Sequence, residues 1–128
     1  MKVSIEKTEH YSSIKIEEEL ASEELLKELR IASQNLLEEE LWNYILFDFK
    51  TEIDLGSDLG KKVIDLVRET NEILELTNGL AISVHANTQW MEKFEDKGLV
   101  LVPSESEAIE FIIMDQLEKQ FLDDSEEE

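Results

Sequence analysis

Two hydrophobic periodicities alternate along the chain, and this alternation restricts the possible folds more than any other feature. Between strand-like segments lie segments with the apolar spacing of helices, in the order β-β-α-β-α-β-α-β-α. Strands joined through helices pair in parallel by right-handed crossovers, and an N-terminal hairpin adds an antiparallel strand. The sequence therefore predicts a single α/β domain, with helices packed against a mixed, mostly parallel β-sheet. The predicted strands are 3–8, 11–17, 44–49, 80–84 and 99–102.

Capping residues mark the ends of the predicted helices. Ser22 is the expected N-cap of a helix that runs to about Glu39. Gly79 follows the second helix and is expected in the left-handed position there. Ser104 and Glu107 have the spacing of a capping box, which opens the last helix. That helix is expected to run through about Phe121. Its buried face is expected to consist of Ala108, Phe111, Ile112, Leu117 and Phe121, and Ile109, Ile113 and Met114 widen this face.

The run Tyr44–Phe49 contains neither glycine nor proline and is dense in β-forming residues. Such a run is typical of a central strand that is buried on both faces. With 128 residues the chain has the usual size of one domain. We expect a domain over residues 1–121, followed by an acidic disordered tail over residues 122–128.

The charge of the chain excludes two classes of partner. Twelve Lys and Arg stand against 32 Asp and Glu, for a net charge of −20. A polyanion or an anionic membrane surface would be repelled, so we expect neither nucleic acid nor a membrane as a partner. The chain contains no cysteine, no apolar run long enough to span a bilayer and no signal-peptide pattern near Met1. The expected location is the cytoplasm.

Patterns that carry enzyme chemistry are missing from the sequence. Its two histidines, His10 in a turn and His85 at a strand end, lack the spacing of metal ligands. Neither a glycine-rich phosphate loop nor a nucleophile elbow occurs. The sequence therefore predicts no catalytic residue, no metal site and no cofactor, and an enzyme is not expected.

The loop Ile53–Lys62 follows the predicted central strand and carries a serine at the start of a helix. Together with the order of elements it resembles the STAS domain, the fold of anti-sigma factor antagonists and of the cytoplasmic tails of sulfate transporters. The run Tyr44–Phe49 is similar to the central strand of that family, and Leu80–Val84 to the next one. Asn87–Leu99 is similar to its short helix and turn, and Ser104–Ile113 to its closing helix.

The resemblance implies a role for the loop serine. In the bacterial antagonists this loop reads Asp-Ser-Ser-Gly-Leu or Asp-Ser-Thr-Gly-Leu, and a partner anti-sigma factor that is a serine kinase phosphorylates its first serine. Alignment on Leu59-Gly60 places Gly56 at the acceptor position and Ser57 one residue later; alignment on Ile53-Asp54 places Leu55 there. Ser57 is the predicted phosphorylation site. One alternative is that Ser57 serves only as a helix N-cap. Another is that the charge of Asp58 makes the protein behave as if it were permanently modified.

Lys61 and Lys62 form the only adjacent basic pair in the chain, in a first helical turn where cations oppose the helix dipole. Contact with an acidic partner would explain them, as would long stems that cover apolar surface. The family uses this loop and helix for contacts, which favours the first explanation. The predicted partner-binding residues are Asp54, Gly56, Ser57, Asp58, Leu59, Lys61 and Lys62.

The expected function is that of an anti-sigma factor antagonist, which regulates transcription by binding a kinase-type anti-sigma factor. A first alternative is a STAS scaffold that is not phosphorylated and belongs to a larger sensory or transport assembly. A second is a small nucleotide-binding or enzymatic domain on a similar fold. The sequence indicates no oligomeric state.

Overall fold

The computed structural model describes residues 3–17, 23–39, 43–50 and 54–126. Within these ranges the order of strands and helices is the one that the sequence predicts. Ser22, the predicted N-cap of the first helix, lies outside the described residues. The strands are β1 Val3–Lys7, β2 Ser12–Ile16, β3 Tyr44–Phe49, β4 Leu80–Val84 and β5 Val100–Val102, and the helices are α1 Glu23–Glu39, α2 Asp58–Glu75, α3 Thr88–Glu95 and α4 Glu105–Glu126.

The strands form one five-stranded sheet in the order β1-β2-β3-β4-β5. β1 pairs with β2 antiparallel, and every other neighbouring pair is parallel. Each right-handed crossover steps in the same direction across the sheet, so α1, α2 and α3 lie on the same face. α4 follows the last strand and covers the opposite face. The predicted mixed α/β architecture is confirmed.

β3 is the centre of the sheet, and all six of its residues are buried. Ile45, Phe47 and Phe49 belong to the larger core under α1, α2 and α3. Tyr44 and Leu46 belong to the smaller core under α4. The two cores share this strand because side chains of successive strand residues point to opposite faces.

α4 buries fewer of its apolar side chains than the sequence predicts. Ala108 and Ile112 are fully buried, whereas Phe111, Ile113, Met114 and Leu117 are exposed. A helix that lies on the outside of a sheet has a single contact line, and residues away from that line face solvent. α4 also extends to Glu126, beyond the predicted end near Phe121. The division into a domain and an acidic tail stays a prediction.

In the turn after α2, the residue with the left-handed conformation differs from the one predicted. Asn78, not Gly79, takes the left-handed conformation, with a φ of 63°. Asparagine tolerates this region better than most residues do. Gly79 is needed for another reason, because a Cβ atom on it would lie 1.8 Å from the backbone oxygen of Asn43. Gly79 thus allows the chain to pass close to the segment that enters β3.

Asp48 is the one carboxylate of the described β3–β4 region that is buried in the sheet, with 4 % of its surface exposed. Its Oδ2 atom has no hydrogen-bond partner among the described residues. In the sheet register Asp48 stands beside Lys15, but the Lys15 ammonium pairs with Glu6 at 2.8 Å. Burial raises the pKa of Asp48, and the carboxylate of Glu105 adds to the rise. The charged form of Asp48 therefore opposes folding.

We expect the Asp48→Asn variant to be more stable than the wild type at neutral pH. The folded state binds the Asp48 proton more readily than the unfolded state, so the wild type loses stability as pH rises through the raised pKa. The advantage of the variant should vanish near pH 4, about the ordinary pKa of aspartate. Thermal unfolding at neutral pH and near pH 4 measures the difference in stability between the variant and the wild type. Asp96→Asn, at an exposed residue, is the control. Equal melting temperatures at neutral pH would contradict this account.

Candidate functional site

The loop that enters α2 is held by a compact set of hydrogen bonds. The Asp54 Oδ1 atom accepts a bond from the Gly56 N–H at 2.9 Å, and the Asp54 carbonyl accepts one from the Ser57 N–H at 3.0 Å. Leu55 is buried in the larger core and anchors the loop. The chain therefore turns sharply at 54–57 and presents an exposed Gly56 and a half-buried Ser57.

Ser57 is the N-cap of α2. Its Oγ atom accepts a hydrogen bond from the Gly60 N–H at 3.0 Å and donates one to the Asp54 carbonyl at 2.6 Å. The first bond satisfies one of the amide groups that a helix start leaves unpaired. The hydroxyl thus has a structural role, and its side chain still reaches the surface.

Gly60 allows the loop to pack on the first turn of α2. A Cβ atom there would lie 2.2 Å from the Asp54 carbonyl oxygen and 2.5 Å from the Leu55 Cα atom. Both of these are backbone atoms, which cannot rotate away. At Gly56, by contrast, a Cβ atom would meet only the Asp54 Oδ1 atom, at 3.3 Å. The two glycines of this loop therefore differ in what a side chain would disturb.

A second loop lies opposite the first. Asn87 is the N-cap of α3, and its side chain accepts a hydrogen bond from the Gln89 N–H at 3.0 Å. The Asn87 N–H donates to the Nδ1 atom of His85 at 3.0 Å. The His85 ring stacks on Trp90 with centroids 3.7 Å apart. His85 is thus a buried strand-end residue that orders this loop, as the sequence suggests.

The two loops enclose a shallow cleft of about 180 Å³ at the carboxyl end of the parallel strands. Ligands of open α/β sheets commonly bind at this end. The contribution of α3 to this cleft was not predicted from the sequence, although the carboxyl ends of neighbouring parallel strands necessarily meet at one edge of the sheet. The cleft is lined by Asp54, Leu55, Gly56, Asn87, Gln89, Trp90 and Lys93.

The predicted partner-binding residues fall in two groups. Asp54, Gly56 and Ser57 border the cleft or cap the helix behind it. Asp58, Lys61 and Lys62 are exposed on the first turns of α2, and Leu59 is packed against the larger core. The Lys62 ammonium lies 3.6 Å from the Glu23 carboxylate. An intramolecular ion pair is therefore part of the explanation for Lys62.

No metal cluster and no membrane-crossing helix are found in the part of the chain that the structure describes. Among those residues, no group of three or more His, Asp and Glu side chains is placed to hold a metal ion. None of the helices in the described ranges combines the length and the hydropathy that a bilayer crossing requires.

We expect Gly60→Ala to destabilise the protein by about 1–3 kcal/mol, the usual cost of forcing extra volume into a packed site. Gly56→Ala is the matched control, since its Cβ atom makes only one close contact, to a side chain. Urea unfolding of the two variants and the wild type measures the difference. If Gly56→Ala were the more destabilising of the two, the described packing of the loop would be wrong.

The chain matches no family model and no curated protein sequence. Solved structures do match it, at sequence identities that establish the fold alone. The anti-sigma factor antagonist SpoIIAA in its unphosphorylated form has a TM-score of 0.65 and 16 % identity, over 86 % of this chain and 96 % of its own.

Two further structures match over a similar share of the chain. SpoIIAA, the Bacillus cell fate determinant, in its phosphorylated form has a TM-score of 0.63 and 19 % identity, over 86 % of this chain and 98 % of its own. A serine-to-glutamate variant of RsbS from Moorella thermoacetica has a TM-score of 0.66 and 12 % identity, over 88 % of this chain and 95 % of its own. The chain therefore has the STAS fold, as its resemblance to that family predicts.

Proposed function

We propose that this protein is an anti-sigma factor antagonist, which binds a serine-kinase anti-sigma factor through the loop Asp54–Asp58 and the first turns of α2. The observation that carries the proposal is the position of Ser57. Its hydroxyl stands at the start of α2, in a surface loop at the carboxyl end of the sheet, on a fold shared with SpoIIAA. SpoIIAA is known in both unphosphorylated and phosphorylated forms. Residues on such a loop can reach the active site of a kinase without unfolding of the core.

A phosphate on Ser57 would change the loop directly. The hydroxyl would lose the proton that it donates to the Asp54 carbonyl, and a dianion would stand beside the Asp58 carboxylate. On the other side, the unpaired amides of the first turn and the positive end of the helix dipole attract a phosphate. Lys61, one turn further along α2, is exposed and supplies a cation. Phosphorylation would therefore reshape the surface at the start of α2 while the core stays intact.

The proposed partner surface extends across the cleft. Asn87 and Gln89 offer amide groups at the start of α3, and Lys93 offers a cation. These polar groups face the loop Asp54–Ser57 from the other side. A segment of the partner that enters the cleft would contact both loops. The surface therefore combines acidic loop residues with basic residues on α2 and α3, which would discriminate partners by charge pattern.

We expect an ATP-dependent serine kinase of the anti-sigma factor class, from the same host, to phosphorylate Ser57. Ser57→Ala should remove the modification and also cost about 1 kcal/mol of stability through the lost N-cap. Ser104→Ala is the matched control, because Ser104 is an exposed serine that also receives an N–H bond at a helix start, from Glu107. Mass spectrometry of the reacted proteins identifies the modified residue. Phosphate on the Ser57→Ala variant, or none on the wild type, would contradict phosphorylation at this site.

We expect Gly56→Ser to accept phosphate in the same assay at least as fast as the wild type. A Cβ atom at Gly56 meets only the flexible Asp54 side chain, so a serine fits there. Its hydroxyl would occupy the acceptor position that the resemblance implies, free of the N-cap bond that engages Ser57. The double variant Gly56→Ser, Ser57→Ala keeps a hydroxyl at position 56 and removes the one at position 57, so phosphate on it must lie at position 56. If only Ser57 is ever modified, the alignment that places the acceptor at Gly56 is wrong.

One observation favours a second candidate function, a STAS scaffold that binds partners without modification. Both hydrogen-bonding functions of the Ser57 hydroxyl are already used, one toward Asp54 and one toward Gly60. A phosphate must displace at least the first of these bonds. Binding of the kinase-type partner without transfer of phosphate, retained in Ser57→Ala, would support the scaffold.

A further inference from the structure

An apolar groove lies between β1 and α1, away from both loops of the candidate site. It measures about 450 Å³ and runs along the outer edge of the sheet. Ile5 and Ile31 face it with 42 % and 54 % of their surface exposed. Two aliphatic side chains so exposed on adjacent elements indicate a surface that is covered in use. The groove is lined by Val3, Ser4, Ile5, Glu28, Ile31, Ala32 and Asn35.

The backbone of β1 is open along the same groove. β1 is the edge strand of the sheet, and within the described ranges it pairs only with β2. The Thr8 N–H bonds to the Tyr11 carbonyl, and hydrogen-bonded residues of an antiparallel pair alternate along the strand. The N–H and C=O groups of Val3, Ile5 and Lys7 therefore point away from β2. Such an edge is a template for another strand.

Glu28 contributes a carboxylate to the lining of the groove. Its Oε2 atom is buried and has no hydrogen-bond partner among the described residues. A buried carboxylate oxygen without a partner is costly, so a cation that entered the groove would be stabilised there. The occupant that fits is thus an extended strand with an aliphatic residue opposite Ile5 and a basic residue near Glu28.

We propose that the occupant is β1 of a second copy of this chain, paired antiparallel across a two-fold axis at Ile5. β1 reads Val-Ser-Ile-Glu-Lys, with Ile5 at its centre. In this register Ile5 faces Ile5 of the second copy, and Val3 faces Lys7 of the second copy. The groups that point outward from each β1 then bond to those of the other. Two five-stranded sheets become one continuous sheet.

The register also supplies the missing cation. Lys7 lies on the α1 face of the sheet, where its ammonium pairs with Glu39 of its own α1. Lys7 of the second copy would stand opposite Val3, a residue that lines the groove together with Glu28. An ammonium has three N–H donors and can bridge both carboxylates. This match of charges favours a second copy over an unrelated strand, despite the net charge of −20 on each chain. At about 0.15 M salt, charges more than about 8 Å apart are largely screened.

The position of α1 fits the same two-fold axis. α1 packs over both β1 and β2, so its axis lies about half a strand spacing inside β1. With strands about 4.8 Å apart, the two α1 axes would come to lie about 10 Å apart, within the usual distance for packed helices. Ile31 is the middle residue of α1, as Ile5 is of β1. Both exposed isoleucines would therefore be buried at the axis.

Sedimentation of the full chain over a range of concentrations tests the proposal. The wild type is expected to form a dimer at physiological salt. Ile5→Glu places two carboxylates opposite each other at the axis, in a groove that already holds Glu28, and should weaken the dimer at least tenfold. Leu76→Glu is the matched control, since Leu76 is 85 % exposed at the end of α2 and its substitution should leave dimerisation unchanged. Circular dichroism establishes that both variants are folded.

Disulfide trapping tests the register, because the chain has no cysteine of its own. In Ile5→Cys the two Cα atoms would be about 5.5 Å apart, as in a hydrogen-bonded pair, which a disulfide spans. In Ser4→Cys each thiol would face Glu6 of the second copy, and the two Cα atoms would be diagonal neighbours about 7–8 Å apart. Mild oxidation should therefore cross-link Ile5→Cys rapidly and Ser4→Cys at least tenfold more slowly.

Three outcomes would overturn the proposal. The wild type could be a monomer at every concentration, in which case the groove is empty or holds a strand of another protein. The dimer could survive Ile5→Glu, which places the interface elsewhere. Ser4→Cys could cross-link as fast as Ile5→Cys, which excludes the stated register. None of these outcomes depends on phosphorylation of Ser57 or on the candidate partner surface.

Discussion

The parallel pairing of β3 with both of its neighbours is the interaction on which the rest of the structure depends. β3 bonds to β2 on one side and to β4 on the other, and its side chains alternate between the two cores. Parallel strands require crossovers, and right-handed crossovers place α1, α2 and α3 on one face. The opposite face is then left for α4. Within the described residues, the N-terminal hairpin makes β1 the edge strand of the sheet.

The same pairing positions the candidate site. The carboxyl ends of β3 and β4 lie side by side, so the loops that follow them face each other across a cleft. Ser57 and Asn87 then cap two helices that start at this end of the sheet. Gly60 lets the first loop settle on α2 without a gap. A short loop on a rigid scaffold can thus be modified or bound while the cores stay packed.

Much of the fold could be predicted because its signals are local. Periodicity predicts the strands and helices, and chirality then predicts the parallel sheet. Local patterns did not correctly predict the features that depend on tertiary packing, such as which residues of a helix are buried. Apolar residues of α4 such as Met114 face solvent, since nothing in a local pattern shows how much of a helix the sheet covers. The left-handed conformation was predicted for Gly79, but Asn78 adopts it. Gly79 instead lies where the chain passes close to the backbone of Asn43.

By itself, the sequence determined the order of elements, the central strand and the loop that carries Ser57, since these depend on periodicity and turn chemistry along one stretch of chain. Only the tertiary structure decided which distant residues share a surface. It brought Lys93 and Asn87 to the loop Asp54–Ser57 and left Ile5 and Ile31 exposed along a common groove. It also left a Glu28 oxygen without a hydrogen-bond partner among the described residues. Each of these depends on contacts between segments far apart in the chain, which no local spacing encodes.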